Sequence, residues 1–119
     1  MSAGFPNLFM ITGPGSPSVF TNMLPTIEQH VEWVSDCIVH MRDRQRQSIE
    51  PSETAEAAWV MHNEEVSNNT LKPSCGSWYV GANIPGKPRV FLPYFGGFPA
   101  YIEKCNDVVA KGYEGFNLT

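Results

Sequence analysis

The sequence predicts an α/β fold of three helices, two short strands and long loops, incomplete as an isolated unit. Three observations lead there. Apolar residues recur at helical spacing over residues 24–44 and again after Pro51. Two short apolar runs, Asn7 to Thr12 and Arg89 to Tyr94, read as strands. Of the ten Gly and ten Pro, twelve gather in residues 13–17, 81–88 and 93–99, so much of the chain is shaped loop. A sheet of two strands about 75 residues apart is not independently stable, which makes the chain a piece of a larger fold.

The elements follow in order. Leu8, Phe9, Met10 and Ile11 form a continuous apolar run between Pro6 and a Gly-Pro loop, the pattern of a buried strand. Thr21 or Asn22 caps a helix with Pro25 in its first turn, and Ile27, Val31, Val34, Ile38 and Met41 place its apolar stripe toward the core. Pro51 and Ser52 punctuate the chain before a second helix ending near Asn68, with Ala55, Trp59, His62 and Val66 on one face and Glu56, Glu64 and Glu65 on the other. Residues 71–88 show neither period and hold Pro73, Gly76, Gly81, Pro85 and Gly86, a long loop of the kind that binds something or moves. The second strand breaks at Gly96-Gly97, and Pro99 opens a last helix that Gly112 terminates.

Composition narrows the classes. At 119 residues the chain is one domain or less, and 42% hydrophobic with 17% charged residues excludes a disordered acidic tail. A net charge of -4 gives no basic field for nucleic acid or anionic lipid, and no apolar run reaches the roughly 20 residues that span a bilayer. Cys37, Cys75 and Cys105 are odd in number, with no CxxC pair, so neither a disulfide framework nor a zinc site is suggested and a cytoplasmic, reducing setting is expected. The start lacks the n-region and h-region of a signal peptide, and the sequons at Asn68 and Asn117 then read as chance matches.

Two glycine motifs imitate nucleotide sites. Gly13-Pro14-Gly15-Ser16-Pro17-Ser18 resembles GxGxxG with Ser18 in place of the third glycine, yet Pro14 and Pro17 carry no N–H to offer a pyrophosphate. The alternatives left are a tight turn or a close-approaching backbone beside a planar ligand. Gly81 to Lys87 has the letters GxxxxGK, but Pro88 stands where Ser or Thr should reach magnesium, and a strand rather than a helix follows. The stretch reads equally as a solvated loop and as one presenting Lys87 and Arg89 to a phosphate or an acidic surface. His30, His40 and His62 share no ligand spacing, and no cysteine has a nucleophile setting, so no metal site and no catalytic residue is assigned. Trp33 and Trp59 read as packing residues, whereas Trp78, in the glycine-rich loop, is suited to covering a ligand.

Three blocks, GFPNLFMITGPGSPS (Gly4 to Ser18), SWYVGANIPGKPRVFLPYFGGFPAY (Ser77 to Tyr101) and GYEGF (Gly112 to Phe116), resemble the end of Baeyer-Villiger monooxygenases, as does EQHVEWVSDCI (Glu28 to Ile38). Phenylacetone and cyclohexanone monooxygenases are the relevant relatives. The resemblance implies that residues 1–119 are the C-terminal part of a Rossmann-like FAD-binding domain. The enzyme it implies uses FAD and NADPH to insert one oxygen atom of O2 beside a ketone carbonyl, giving an ester or lactone. It implies further that Ser16 to Met23 line the pocket between flavin and ketone. Ser18 and Phe20 then touch substrate, and Met23 meets both substrate and cofactor. Ser77 to Pro88 form a mobile loop over NADP in which Trp78 and Lys87 bind the cofactor, and Leu92 borders the substrate pocket.

The sequence lacks a complete GxGxxG, the family's FxGxxxHxxxWP fingerprint and its upstream catalytic arginine, so the isolated chain is expected to be inactive and to need the missing upstream polypeptide. The rival expectation is a non-catalytic interaction module whose apolar strand docks onto a partner that supplies the missing sheet.

Overall fold

A computed structural model describes residues 1–17, 21–68 and 78–119, without the side chain of Trp78. Helix α1 spans Met23–Asp43, strand β1 Ile49–Pro51, helix α2 Glu53–Asn68, helix α3 Phe98–Ala110 and strand β2 Phe116–Leu118, with a short 3₁₀ turn at Trp78–Val80.

Asn22 is the cap of α1: its Oδ1 accepts from the Leu24 N–H at 3.2 Å, and His40 and Arg42 sit in the last turn, where the helix dipole favours cations. The face that α1 buries differs from the expected one. Thr26, His30, Cys37 and Met41 point inward, whereas Ile27, Val31 and Ile38 are exposed. At about 100° per residue the buried face lies roughly a quarter turn from the apolar stripe. The inward polar groups tolerate this because each is bonded, Thr26 Oγ1 donating to the Asn22 carbonyl and His30 holding partners on both ring nitrogens.

The strand count is as expected, but neither strand lies where the apolar runs predict. Residues 7–12 form turns, with left-handed backbone at Asn7 (φ 61°) and Thr12 (φ 53°). Only Asn7 pairs, donating its N–H to the Ile49 carbonyl and accepting the Ile49 N–H on Oδ1, while Leu8, Met10 and Ile11 stay exposed. Residues 89–94 are likewise irregular. Their backbone bonds go singly to Tyr79, Gly15 and Ser16 instead of forming a ladder. An apolar run becomes a strand only with a neighbour to satisfy its N–H and C=O groups, and the described residues offer neither run one.

The ladder forms instead between β1 and β2, antiparallel, with Ile49 opposite Leu118 and Pro51 opposite Phe116. Over it closes the core of Cys37, Met41, Ile49 and Tyr113, flanked by Trp33, Val108, Phe116 and Leu118. Trp33 of α1 meets Tyr113 edge-on at 5.3 Å and donates its indole N–H to the Cys105 carbonyl of α3, which joins the two helices. Helix α2 begins behind Pro51-Ser52 and keeps Trp59, His62 and Val66 half-buried, as their spacing predicts; Glu56, expected on the solvent face, is half-buried and accepts from the Ser2 hydroxyl. Helix α3 has Pro99 in its first turn and ends at Gly112, whose φ of 67° releases the chain from helical conformation. Among the described residues no helix is long and apolar enough to cross a membrane.

Candidate functional site

The glycine-rich loop, residues 13–17, is held from three sides. The Gly15 N–H donates to the Leu92 carbonyl at 2.7 Å, and the Ser16 carbonyl accepts from the Tyr94 N–H at 3.0 Å. From α2, the Trp59 indole N–H donates to the Gly15 carbonyl at 3.1 Å. Gly15 is required here twice over. Its φ is +75°, and a Cβ on it would lie 2.6 Å from Trp59 Nε1. The Leu92 N–H in turn donates to the Tyr79 carbonyl at 2.9 Å, so the peptide of one residue bridges the 3₁₀ turn and the glycine loop.

Beside this loop lies a cavity of about 610 Å³, walled by Met10, Ile11, Gly15, Trp59, Phe91 and Leu92 on one side and by Trp33, Val34, Tyr101 and Val108 on the other. Its size and apolar lining suit a small organic molecule or the ring of a cofactor. Aromatic side chains stiffen its floor: Trp59 stacks on Tyr94 with centroids 5.4 Å apart and planes 13° apart, and Tyr101 meets both.

A line of neutral polar groups runs along the wall. His30 Nδ1 accepts the Thr12 N–H at 3.1 Å, which leaves the ring proton on Nε2 to donate to the Tyr101 oxygen at 3.1 Å. The Tyr101 hydroxyl and the Cys105 thiol are neighbours; burial raises the pKa of both and lowers that of His30. With these shifts the line is uncharged at neutral pH. Gln29 Oε1 and Asn63 Oδ1, both on cavity-lining residues, are buried without a partner among the described residues. Among the described residues no cluster could hold a metal ion, and Cys37 and Cys105 are free thiols.

His40 and His62, like His30, titrate below the usual value, chiefly through burial. With a folded pKa below the unfolded value of about 6.5, the unfolded chain takes protons first. Stability is full above that pH and is lost as pH falls below it. We expect the melting temperature to drop between about pH 6.5 and 5, with part of the drop removed in His30→Gln. A melting temperature constant over that interval would exclude this linkage.

Of the residues singled out in the sequence, Leu92 lines the cavity. Met23, the first residue of α1, is half-buried and away from it. Lys87 is exposed, its stem lying over Gly81, and neither it nor Arg89 forms an ion pair among the described residues. Ser18, Phe20 and the Trp78 side chain lie outside the described residues. Sequence reading missed His30 and Tyr101 and left Trp59 as packing. The one signal for Trp59 was its spacing to His62 on a single helix face, which shows burial and not a loop carbonyl as partner.

No known family profile matches the chain. The acetone monooxygenase (methyl acetate-forming) of Gordonia sp. (strain TY-5) is 41% identical over 120 residues, all of this chain and 22% of that protein. The cyclohexanone 1,2-monooxygenase of Acinetobacter sp. is 40% identical over 114 residues, 96% of this chain and 21% of that one. Among solved structures, cyclohexanone monooxygenase from Rhodococcus sp. Phi1 bound to NADP+ superposes with a TM-score of 0.91 at 40% identity, over 100% of this chain and 22% of that one. The chain thus spans about a fifth of the length of the curated relatives it matches.

Proposed function

From a chain that shares its sequence and fold with a segment, about one fifth in length, of the Baeyer-Villiger monooxygenases, we propose the C-terminal part of the FAD-binding domain of such an enzyme. The complete enzyme inserts oxygen next to a ketone carbonyl to give an ester or lactone. What carries this reading is that identity near 40% and the superposition extend over the whole chain, loops included.

The residues present fit the ring end of a flavin better than its phosphates. The cavity offers an apolar slot beside a glycine-proline backbone, but Pro14 and Pro17 have no N–H and the Gly15 N–H is already given to Leu92. The pyrophosphate therefore belongs to residues outside this chain. Lys87 and Arg89, exposed and without an ion pair among the described residues, suit the phosphates of NADP, with Trp78 in the same loop over its nicotinamide half. Ser18, Phe20, Met23 and Leu92 would shape the pocket for the ketone, and Met23 would also touch the cofactor.

The cofactors supply reduction and oxygen activation when bound. The chain's own residues position and exclude. The relay through Tyr79, Leu92 and Gly15 fixes the loop around the ketone, and the apolar walls with their uncharged His30–Tyr101 line keep water and stray protons from the reacting atoms. The two free thiols are in keeping with a cytoplasmic setting.

The isolated chain is expected to lose flavin on a desalting column and to leave NADPH unoxidised, whereas the full-length polypeptide carrying it stays yellow and consumes NADPH with a ketone. Flavin retained by the isolated chain, or absent from the full-length protein, would count against the assignment. The exposed Leu8, Met10 and Ile11 favour a second reading, a docking module for a partner that supplies a sheet. A stable complex without flavin on size exclusion would select it.

A further inference from the structure

The glycine loop takes backbone bonds from its neighbours in the 92–94 segment, as loops commonly do, but its third anchor is a side chain from a different element. Trp59 lies on α2, and its only hydrogen-bond donor is spent on the Gly15 carbonyl at 3.1 Å. Its ring is fixed independently of that bond: it stacks on Tyr94 at 5.4 Å, tilts against His62 at 5.5 Å and meets Tyr101 edge-on at 6.1 Å. Tyr94, the stacking partner, also binds the loop through its N–H to the Ser16 carbonyl. The indole thus approaches Gly15 from a held position, so close that no side chain fits between them. A neutral bond of this kind in a partly buried place contributes modestly to stability, yet it fixes the orientation of one peptide, and the loop beyond Gly15 starts from that peptide.

We propose that Trp59 is a positioning residue for the ketone-facing loop, its indole N–H setting the course of residues 15–17 and through them the shape of the substrate pocket. This rests on the reading of that loop as a pocket wall. Trp59 also forms part of the cavity wall, and the role proposed here is the one it exerts through the Gly15 carbonyl. The consequence is selective. Loss of the donor alone, with the ring kept in the cavity wall, should alter which ketones fit more than it alters hydride transfer from NADPH to flavin, because the residues proposed to face NADP, Trp78 and Lys87, stand on another element.

The test uses the full-length polypeptide carrying this segment, with Trp59→Phe and a second preparation bearing 3-benzothienylalanine at position 59. The latter keeps the bicyclic shape and the stack and removes only the donor, and it decides the question should the Phe variant not accumulate. Leu118→Ala, which thins the β2 core and touches no part of the loop, controls for general destabilisation. Expected in both donor-less proteins is exchange of the backbone amides of residues 9–17 about two- to tenfold faster by mass spectrometry, the loss of one net hydrogen bond. The ratio of kcat/KM between a small and a bulky ketone should shift about tenfold, with flavin reduction changed less than that ratio in the 3-benzothienylalanine protein, which keeps the ring in the cavity wall. The control should melt lower with neither change. Exchange at the wild-type rate overturns the proposal, and so does faster exchange with an unchanged ketone ratio. Were the wild-type protein to hold no flavin, the functional reading would fall separately, and the exchange rates alone would uphold or overturn the anchoring.

Discussion

Tyr113→Ala is expected to destabilise the chain by about 3–5 kcal/mol, the range for deleting a buried aromatic side chain, and so to remove most of the stability of a unit this size. Tyr113 is 1% exposed and touches every part of the core: Trp33 at 5.3 Å, His40 at 4.6 Å and Phe116 at 6.5 Å, all near perpendicular. Burial first, then the neighbouring Cys37, pushes the pKa of the Tyr113 hydroxyl up to about 12. Tyr113→Phe separates the contributions, since it keeps the rings in contact and loses only the hydroxyl, at about 1 kcal/mol. Urea denaturation of the two variants against wild type is the measurement. Equal effects from Phe and Ala would mean that the hydroxyl, and not ring packing, holds the core.

Leu92→Ala is expected to move ketone preference toward larger substrates. The side chain lines the cavity, while its peptide N–H and C=O make bonds that alanine retains. Removing apolar contact from a pocket is worth roughly 1–3 kcal/mol per methylene, so relative kcat/KM for bulky over small ketones should rise about tenfold or more in the full-length enzyme. Flavin reduction by NADPH should stay near wild type. A variant with slowed reduction and an unchanged ranking would assign Leu92 to cofactor placement instead.

Local rules made the helices legible. Asn22 and Pro99 begin α1 and α3 and Gly112 ends the last of them, because capping and φ preferences act within one turn and need nothing from elsewhere in the chain. The strands were not legible, because pairing is a relation between distant residues. The three-residue Ile49–Pro51 segment carries no periodic signal, and it is a strand only because Phe116–Leu118 lies beside it. The longer apolar run at residues 8–11 had the signal and lacked the partner. The face of α1 misled for a related reason: hydrophobicity marks what is able to be buried, whereas burial of Thr26 and His30 followed from bonds to Asn22, Thr12 and Tyr101. At the site, the glycines and Leu92 were visible as loop chemistry. Trp59 and Tyr101 were not, since their roles come from carbonyls and rings that the fold brings across from other elements.

The two-sided peptide at Leu92 also bears on how this part of the chain tolerates changes in length. Its N–H faces Tyr79 and its C=O faces Gly15. Adding or removing one residue between positions 90 and 94 would put a different residue between Tyr79 and Gly15, so such changes would break two attachments together. The turns at residues 81–87, exposed from Asn83 onward and closed by their own Ile84-to-Gly81 and Lys87-to-Ile84 bonds, are under no such register. Natural and engineered variation in loop length therefore has room before Pro88 and almost none after it.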